Sequence, residues 1–166
     1  VGFPGGAHRT ETKVLEARFL CEDGVNEADM MLNIGKLKSG AFAYVENDIK
    51  SVVDACGQVP VKVILETHYL NRDEIKKACE LCIKAGAEYV KTATGWAPSG
   101  ATMDVVELIT GFVGGAIKVK AAGGIRNLET LVKMYGMGVS RFGINLNASI
   151  DILGEVDALP EKAVEV

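Results

Sequence analysis

The feature that most narrows what this 166-residue chain can fold into is a recurrence. A short β-prone run, a glycine or polar loop and an amphipathic helical run repeat at steps of about 22 to 32 residues. A helix between successive strands returns the chain in the same direction, so the strands are expected to lie parallel with helices packed outside. The predicted strands are 28–34, 61–66, 88–94, 117–122 and 139–144, and Val1-Gly2-Phe3-Pro4 reads as the end of another strand whose beginning is absent. No methionine precedes Val1. Thr10 is the expected N-cap of a helix carrying Val14, Ala17 and Cys21 on one face, and 36–40 reads as a loop. Val45, Ile49, Val52, Val53 and Cys56 mark the next helix, stopped by Gly57. Asn71 with Glu74 forms a capping-box pattern, Thr102 caps the helix after it, Asn127 opens another, and a last helix is expected near 148–153.

An open doubly wound sheet and a closed barrel both satisfy this alternation, and the inner-face residues separate them. A sheet covered by helices on both faces reads as continuous apolar runs. Here the strands keep one apolar face and place Asp29, Asn33, Lys62, Glu66, Lys91, Lys118 and Lys120 on the other. The G-x-G-x-x-G dinucleotide fingerprint is missing. The expected class is therefore α/β, a TIM (β/α) barrel with a polar lumen, incomplete at about six of eight strand–helix units. Residues 1–154 read as this one domain and 155–166 as a charged, poorly ordered tail.

Composition removes several function classes. A net charge of −4, with no basic run, argues against a nucleic-acid or anionic-membrane surface. No apolar run approaches the roughly 18 to 20 residues of a membrane span and no signal-peptide pattern opens the chain, so a cytoplasmic location is expected. The cysteines Cys21, Cys56, Cys79 and Cys82 fall on apolar helical stripes and read as buried free thiols. With His8 and His68 isolated from each other, no metal is expected, and chemistry falls to lysines and carboxylates.

Lys91 is the most telling of these. It lies in the run E-Y-V-K-T-A-T-G, Glu88 to Gly95, an apolar strand entering a glycine loop. An ammonium against a packed interior is costly unless it is paired, neutralised or used, although snorkelling from a strand end gives a bland alternative. A nearby cation such as Lys120, with partial desolvation, would favour the neutral amine that attacks carbonyls. Asp29 is placed either to move protons or to form a buried ion pair with Lys62 or Lys120, and Lys120 either joins the chemistry or pairs with Glu66. Gly123-Gly124 before a helix start offers backbone N–H groups to an anion, with Gly95, Ser99 and Gly100 completing a cradle.

Longer motifs then carry a resemblance. V-G-F-P at the start, T-E-T-K-x-x-E-A at 10–17, D-M-M-L-N-I-G-K-L-K-S-G at 29–40, V-K-T-A-T-G at 90–95 and V-K-A-A-G-G-I-R at 119–126 together resemble deoxyribose-phosphate aldolase, in order and spacing over roughly residues 1 to 150. The resemblance implies that Lys91 is the Schiff-base lysine, Lys120 the second active-site lysine and Asp29 the carboxylate of a proton relay, with Lys62 and Asn33 in support. It implies reversible cleavage of 2-deoxyribose 5-phosphate to glyceraldehyde 3-phosphate and acetaldehyde without metal or organic cofactor. Where the family places small hydroxyl residues after the last strand, this chain has Ile144-Asn145-Leu146-Asn147, leaving Asn145 as the expected phosphate donor. An eight-unit barrel usually needs about 200 to 250 residues. The shorter length is read as a fragment, as a short protein whose wall comes from a second subunit, or as a relic without catalysis that binds sugar phosphates or only assembles. A homo-oligomer is expected, because unpaired edge strands need covering.

Overall fold

The computed structural model describes residues 1–160. Its elements alternate as the sequence predicts. Helix α1 (Thr10–Glu22) precedes strand β1 (Ala28–Met31), a short helix α2 (Ile34–Lys38), helix α3 (Phe42–Cys56) and strand β2 (Val61–Ile64). Helix α4 (Arg72–Lys84), strand β3 (Tyr89–Lys91), helix α5 (Met103–Val113), strand β4 (Lys118–Ala122), helix α6 (Leu128–Gly136), strand β5 (Val139–Gly143) and helix α7 (Leu146–Asp157) follow. All strand pairings are parallel and the spatial order is the chain order, β1 to β5. Val1 lies along the free edge of β1, its carbonyl accepting from Met31 N at 2.9 Å.

The sheet is curled. Flat strands about 4.8 Å apart would put β1 and β4 roughly 14 Å from each other. Yet the Lys120 amine on β4 sits 3.1 Å from Asp29 on β1, and Arg141 on β5 reaches Glu27, just before β1, at 2.5 Å. Such curvature is that of a barrel wall, and the β4–β5 register shifts between Val119 and Lys120. On the outer face, Val63, Val90 and Val119 are buried under Val45, Ile49 and Val52 of α3, Ile75 and Ala78 of α4, and Val106 and Ile109 of α5, in one apolar cluster. The inner face takes the polar set.

Helix starts follow their caps: Asn71 and Glu74 form the reciprocal capping box, and Thr102 and Asn127 accept from the third N–H of their helices. Three expectations fail. Residues 1–4 form no strand of the five-stranded sheet, although Val1 bonds along β1. Thr10 is not a cap but the first residue of α1, where its hydroxyl donates to Asp48 Oδ1 at 2.7 Å. Asn33 is not a strand residue: β1 stops at Met31 and Asn33 caps α2, accepting from Lys36 N at 3.1 Å, so most of 36–40 is helix rather than loop. A short polar side chain before a free turn of N–H groups is better satisfied there than on a pleated edge. Helix α7 also passes through Gly154 to Asp157, and positions 161–166 of the expected tail lie outside the described residues. Among the described residues, no helix is long and apolar enough to cross a membrane. The cysteines are unbridged, with Cys56, Cys79 and Cys82 buried; burial pushes the Cys79 thiol up to about 12, well away from reactivity.

Candidate active site

Strand parity and parallel register assemble the site. Asp29 lies opposite Lys62, Ile64 opposite Lys91 and Lys91 opposite Lys120, so residues far apart in sequence point into one lumen at adjacent heights. The Lys91 Nζ donates to Asp29 Oδ2 at 2.7 Å and Lys120 Nζ donates to the same oxygen at 3.1 Å. Lys62 Nζ lies 3.4 Å from the other carboxylate oxygen and 2.8 Å from Glu27. Burial grades along this cluster: Lys62 is sealed, whereas the Lys91, Lys120 and Asp29 side chains keep 12%, 16% and 30% of their surface open. Lys118, though on the same face, is at the other end of β4 and pairs with Glu88 instead.

Three ammonium groups converge on Asp29 with only Glu27 to share them. Burial alone would raise the Asp29 pKa, but the hydrogen bonds and charges of Lys91 and Lys120 outweigh it and hold the carboxyl at about 2. Burial lowers the Lys120 pKa, and the neighbouring charges of Lys91 and Lys62 push the same way, against the pull of Asp29. The result is a site where the carboxylate stays ionised and the Lys120 amine gives up its proton more readily than in water.

Above the amines opens a cleft of about 440 Å³, lined by Lys91, Lys120, the loops 94–96 and 122–126, and 143–145. Gly95, Gly123, Gly124 and Asn145, all singled out from the sequence, meet here. Gly123 and Gly124 adopt φ of 86° and 93°, and a side chain at Gly100 would stand 2.7 Å from the Gly123 carbonyl, so the two loops interlock only because these positions are glycine. Asn145 spends its Oδ1 on capping α7, accepting from Ala148 N at 2.9 Å, which leaves its amide N–H groups as the donor end. Asn33 is not in this cleft; its contact is the α2 cap.

Sequence reasoning missed three participants and misassigned a fourth. Arg126 and Trp96 line the cleft, Glu27 anchors Lys62, and Glu66 braces a wall. Glu66 was expected as a possible partner of Lys120; instead its carboxylate receives Thr94 N at 3.2 Å and Thr94 Oγ1 at 2.5 Å, from a left-handed backbone with φ of 53°. The R in G-G-I-R was a readable signal for Arg126, because a cation beside an anion-binding turn is the usual pairing; nothing local announced the others.

Comparison with known proteins gives the family. Residues 2–143 match the family described as DeoC/LacD family aldolase. The chain belongs to this aldolase family. It is 49% identical over 166 residues to the deoxyribose-phosphate aldolase of Klebsiella pneumoniae, and 46% identical to that of Rhizobium meliloti, covering 100% of this chain and 67% of each relative. The deoxyribose phosphate aldolase of Aeropyrum pernix, a tetramer of solved structure, superposes with a TM-score of 0.84 at 27% identity, over 95% of this chain and 66% of that one. The incomplete TIM barrel expected from the sequence is thus a five-stranded arc of the family's barrel, spanning about two thirds of its relatives' length.

Proposed function

We propose that this family member is a class I aldolase that reversibly cleaves 2-deoxyribose 5-phosphate to glyceraldehyde 3-phosphate and acetaldehyde, with Lys91 as the Schiff-base nucleophile. The observation that carries the reading is two lysine amines on one carboxylate, at 2.7 and 3.1 Å, on the floor of an open cleft. The Lys91 amine adds to the aldehyde carbon of the open-chain sugar and water leaves, giving an iminium. Loss of the proton from the C3 hydroxyl breaks the C2–C3 bond, whose electrons pass into the iminium to form an enamine and free glyceraldehyde 3-phosphate. Protonation of the enamine carbon and hydrolysis release acetaldehyde. Asp29, with water, and Lys120 move these protons. A carboxylate held at about 2 is a poor direct base, so its part is to orient the water that takes up and returns these protons.

The phosphate is assigned to the backbone N–H groups of Gly95, Gly123 and Gly124, the Asn145 amide and the Arg126 charge. Lys62 holds Asp29 from below. Replacing Lys91 with Ala is expected to abolish the borohydride-trapped adduct with acetaldehyde and to lower retro-aldol turnover about 10⁴-fold or more, with the fold retained. An adduct that survives the substitution would place the nucleophile elsewhere. Ligand-dependent stabilisation of the unmutated protein without release of glyceraldehyde 3-phosphate would favour a non-catalytic sugar-phosphate binder. The unpaired edge of β5 supports association of copies, as in the tetrameric relative. A stable monomer in sedimentation at micromolar concentration counts against that part.

A further inference from the structure

The sequence places Ser99 in the anion cradle; the structure gives its hydroxyl another partner. His68 Nδ1 lies 2.7 Å from Ser99 Oγ and ties the turn after β2 to the loop after β3. The two ends of this contact are held very differently. His68 rides on a single 3₁₀ turn, Thr67–Tyr69, followed by the buried Leu70. Thr67 N donates to the Thr92 carbonyl at 3.0 Å, Tyr69 N to the Glu66 carbonyl at 3.1 Å and Lys38 Nζ to the Tyr69 carbonyl at 2.9 Å, so the mount is firm. Ser99 belongs to the loop 92–102 between β3 and α5, which supplies Thr94, Gly95 and Trp96 to the cleft. That loop is pinned at its ends, by Glu66 on Thr94 and by Ala101 N on the carbonyls of Ala122 and Gly123. Between the pins, residues 97–100 make one hydrogen bond among the described residues, the one to His68. An exposed stretch with so few bonds opens at little cost unless something holds it. The ring can hold it in either charge state, because a neutral Nδ1 accepts from the hydroxyl and a protonated one donates to its oxygen.

We propose that His68 is a positioning residue: through Ser99 it holds the β3–α5 loop in the shape that presents Gly95 to the phosphate end of the substrate. This rests on the aldolase reading above. The tether acts on binding rather than on the carbon–carbon step, because Lys91 and Asp29 are placed by strand register and by their own ion pair. Freed of it, the loop takes up other shapes and only a fraction of the molecules offer the complete rim. Apparent affinity then falls by that fraction, while substrate that does bind reacts as before.

Two measurements test it. The first takes kcat and KM for 2-deoxyribose 5-phosphate in the unmutated protein, in His68→Phe and in His68→Gln. The Phe variant keeps a ring for the edge contact with Tyr69, whose centroid is 4.9 Å away, but has no nitrogen; the Gln amide can still meet the hydroxyl. KM is expected to rise about 3- to 10-fold in His68→Phe, the worth of one hydrogen bond, with kcat unchanged and His68→Gln recovering part of the rise. Ser99→Ala is expected to raise KM as much as His68→Phe, and the double variant to add nothing, because both remove the same bond. An unmoved KM in His68→Phe, or a double variant whose effects multiply, overturns the proposal, while a borohydride adduct at Lys91 leaves the aldolase reading standing. The second measurement needs no turnover. Trp96, the chain's only tryptophan, stands in the same loop and is 74% exposed, so the time-resolved anisotropy of its emission follows the loop directly. A larger fast-decaying component in His68→Phe supports the tether even in a protein that releases no glyceraldehyde 3-phosphate. Equal decays in the two proteins overturn it.

Discussion

Two lysine–carboxylate sites in this molecule are built from the same chemical parts and do different work. Lys13 and Asp48 join α1 to α3 at 2.5 Å with essentially no surface exposed. Further bonds are local: Lys13 also donates to the Met31 carbonyl at 3.0 Å and Asp48 accepts from Thr10. Charges there are matched one to one and water is excluded. At Asp29 the ratio is broken. Three lysines meet two carboxylates, and two of those lysines reach a cleft. A matched, sealed pair can only hold helices; an unmatched, open one has a proton to give away and room for a carbonyl. Excess of one charge sign, together with access, separates chemistry from architecture here.

The largest expected effect lies at the sealed site. Removing one partner of a buried pair leaves an uncompensated charge and typically costs about 3 to 5 kcal/mol. Lys13→Met is therefore expected to lower unfolding free energy by that amount in urea, whereas Lys13→Met with Asp48→Leu recovers much of the loss because no charge is stranded. Lys91→Ala, by contrast, should lie within about 1 kcal/mol of the unmutated protein, since Asp29 keeps Lys120 and Lys62 as partners. If Lys13→Met proves as mild as Lys91→Ala, the division between a holding pair and a reacting one is wrong.

That Lys13 must be singled out from the structure shows where sequence reading stops. The capping residues Asn71, Thr102 and Asn127 were legible because a cap acts within four residues of itself. The stripe of α3 was legible because helical periodicity is local too. Lys91, Lys120 and Asp29 could be brought together because strand parity fixes a face and parallel order fixes neighbours. Lys13 carries no such mark: a lysine in the first turns of a helix reads as solvated, and only the packing of α3 and β1 against it buries its amine. Glu27 meets Arg141 across 114 positions, a contact that exists only because the sheet curls. Glu66 continues a strand pattern by parity and leaves it by a left-handed turn that no neighbouring glycine announces. Thr10 and Asn33 were misassigned for the same reason in miniature. Each is a short polar residue beside a helix start, and a competing partner decided which of them capped.

The open site responds to acid through Asp29. Asp29 has a folded-state pKa of about 2 against an ordinary 3.8, set by Lys91 and Lys120 overcoming burial. A depressed carboxyl stabilises the fold above its unfolded value and loses that contribution as pH falls through the folded value. The window is therefore about pH 4 down to pH 2, and the contribution is about 2 kcal/mol. Asp29→Asn removes the titration: the drop in unfolding free energy between pH 6 and pH 2 should shrink by about that amount, measured by urea melts across the range. The variant should also be less stable than the parent at pH 6, because Lys91, Lys120 and Lys62 then repel one another without their shared counter-ion. Lys120 runs in the opposite sense. Its folded pKa is lowered, so the cost of burying its charge is present at neutral pH and is relieved as pH rises through that value toward 10.5. An Asp29→Asn variant whose acid dependence matches the parent would mean that the lysines do not govern Asp29 and that charge imbalance does not prepare this site for imine chemistry.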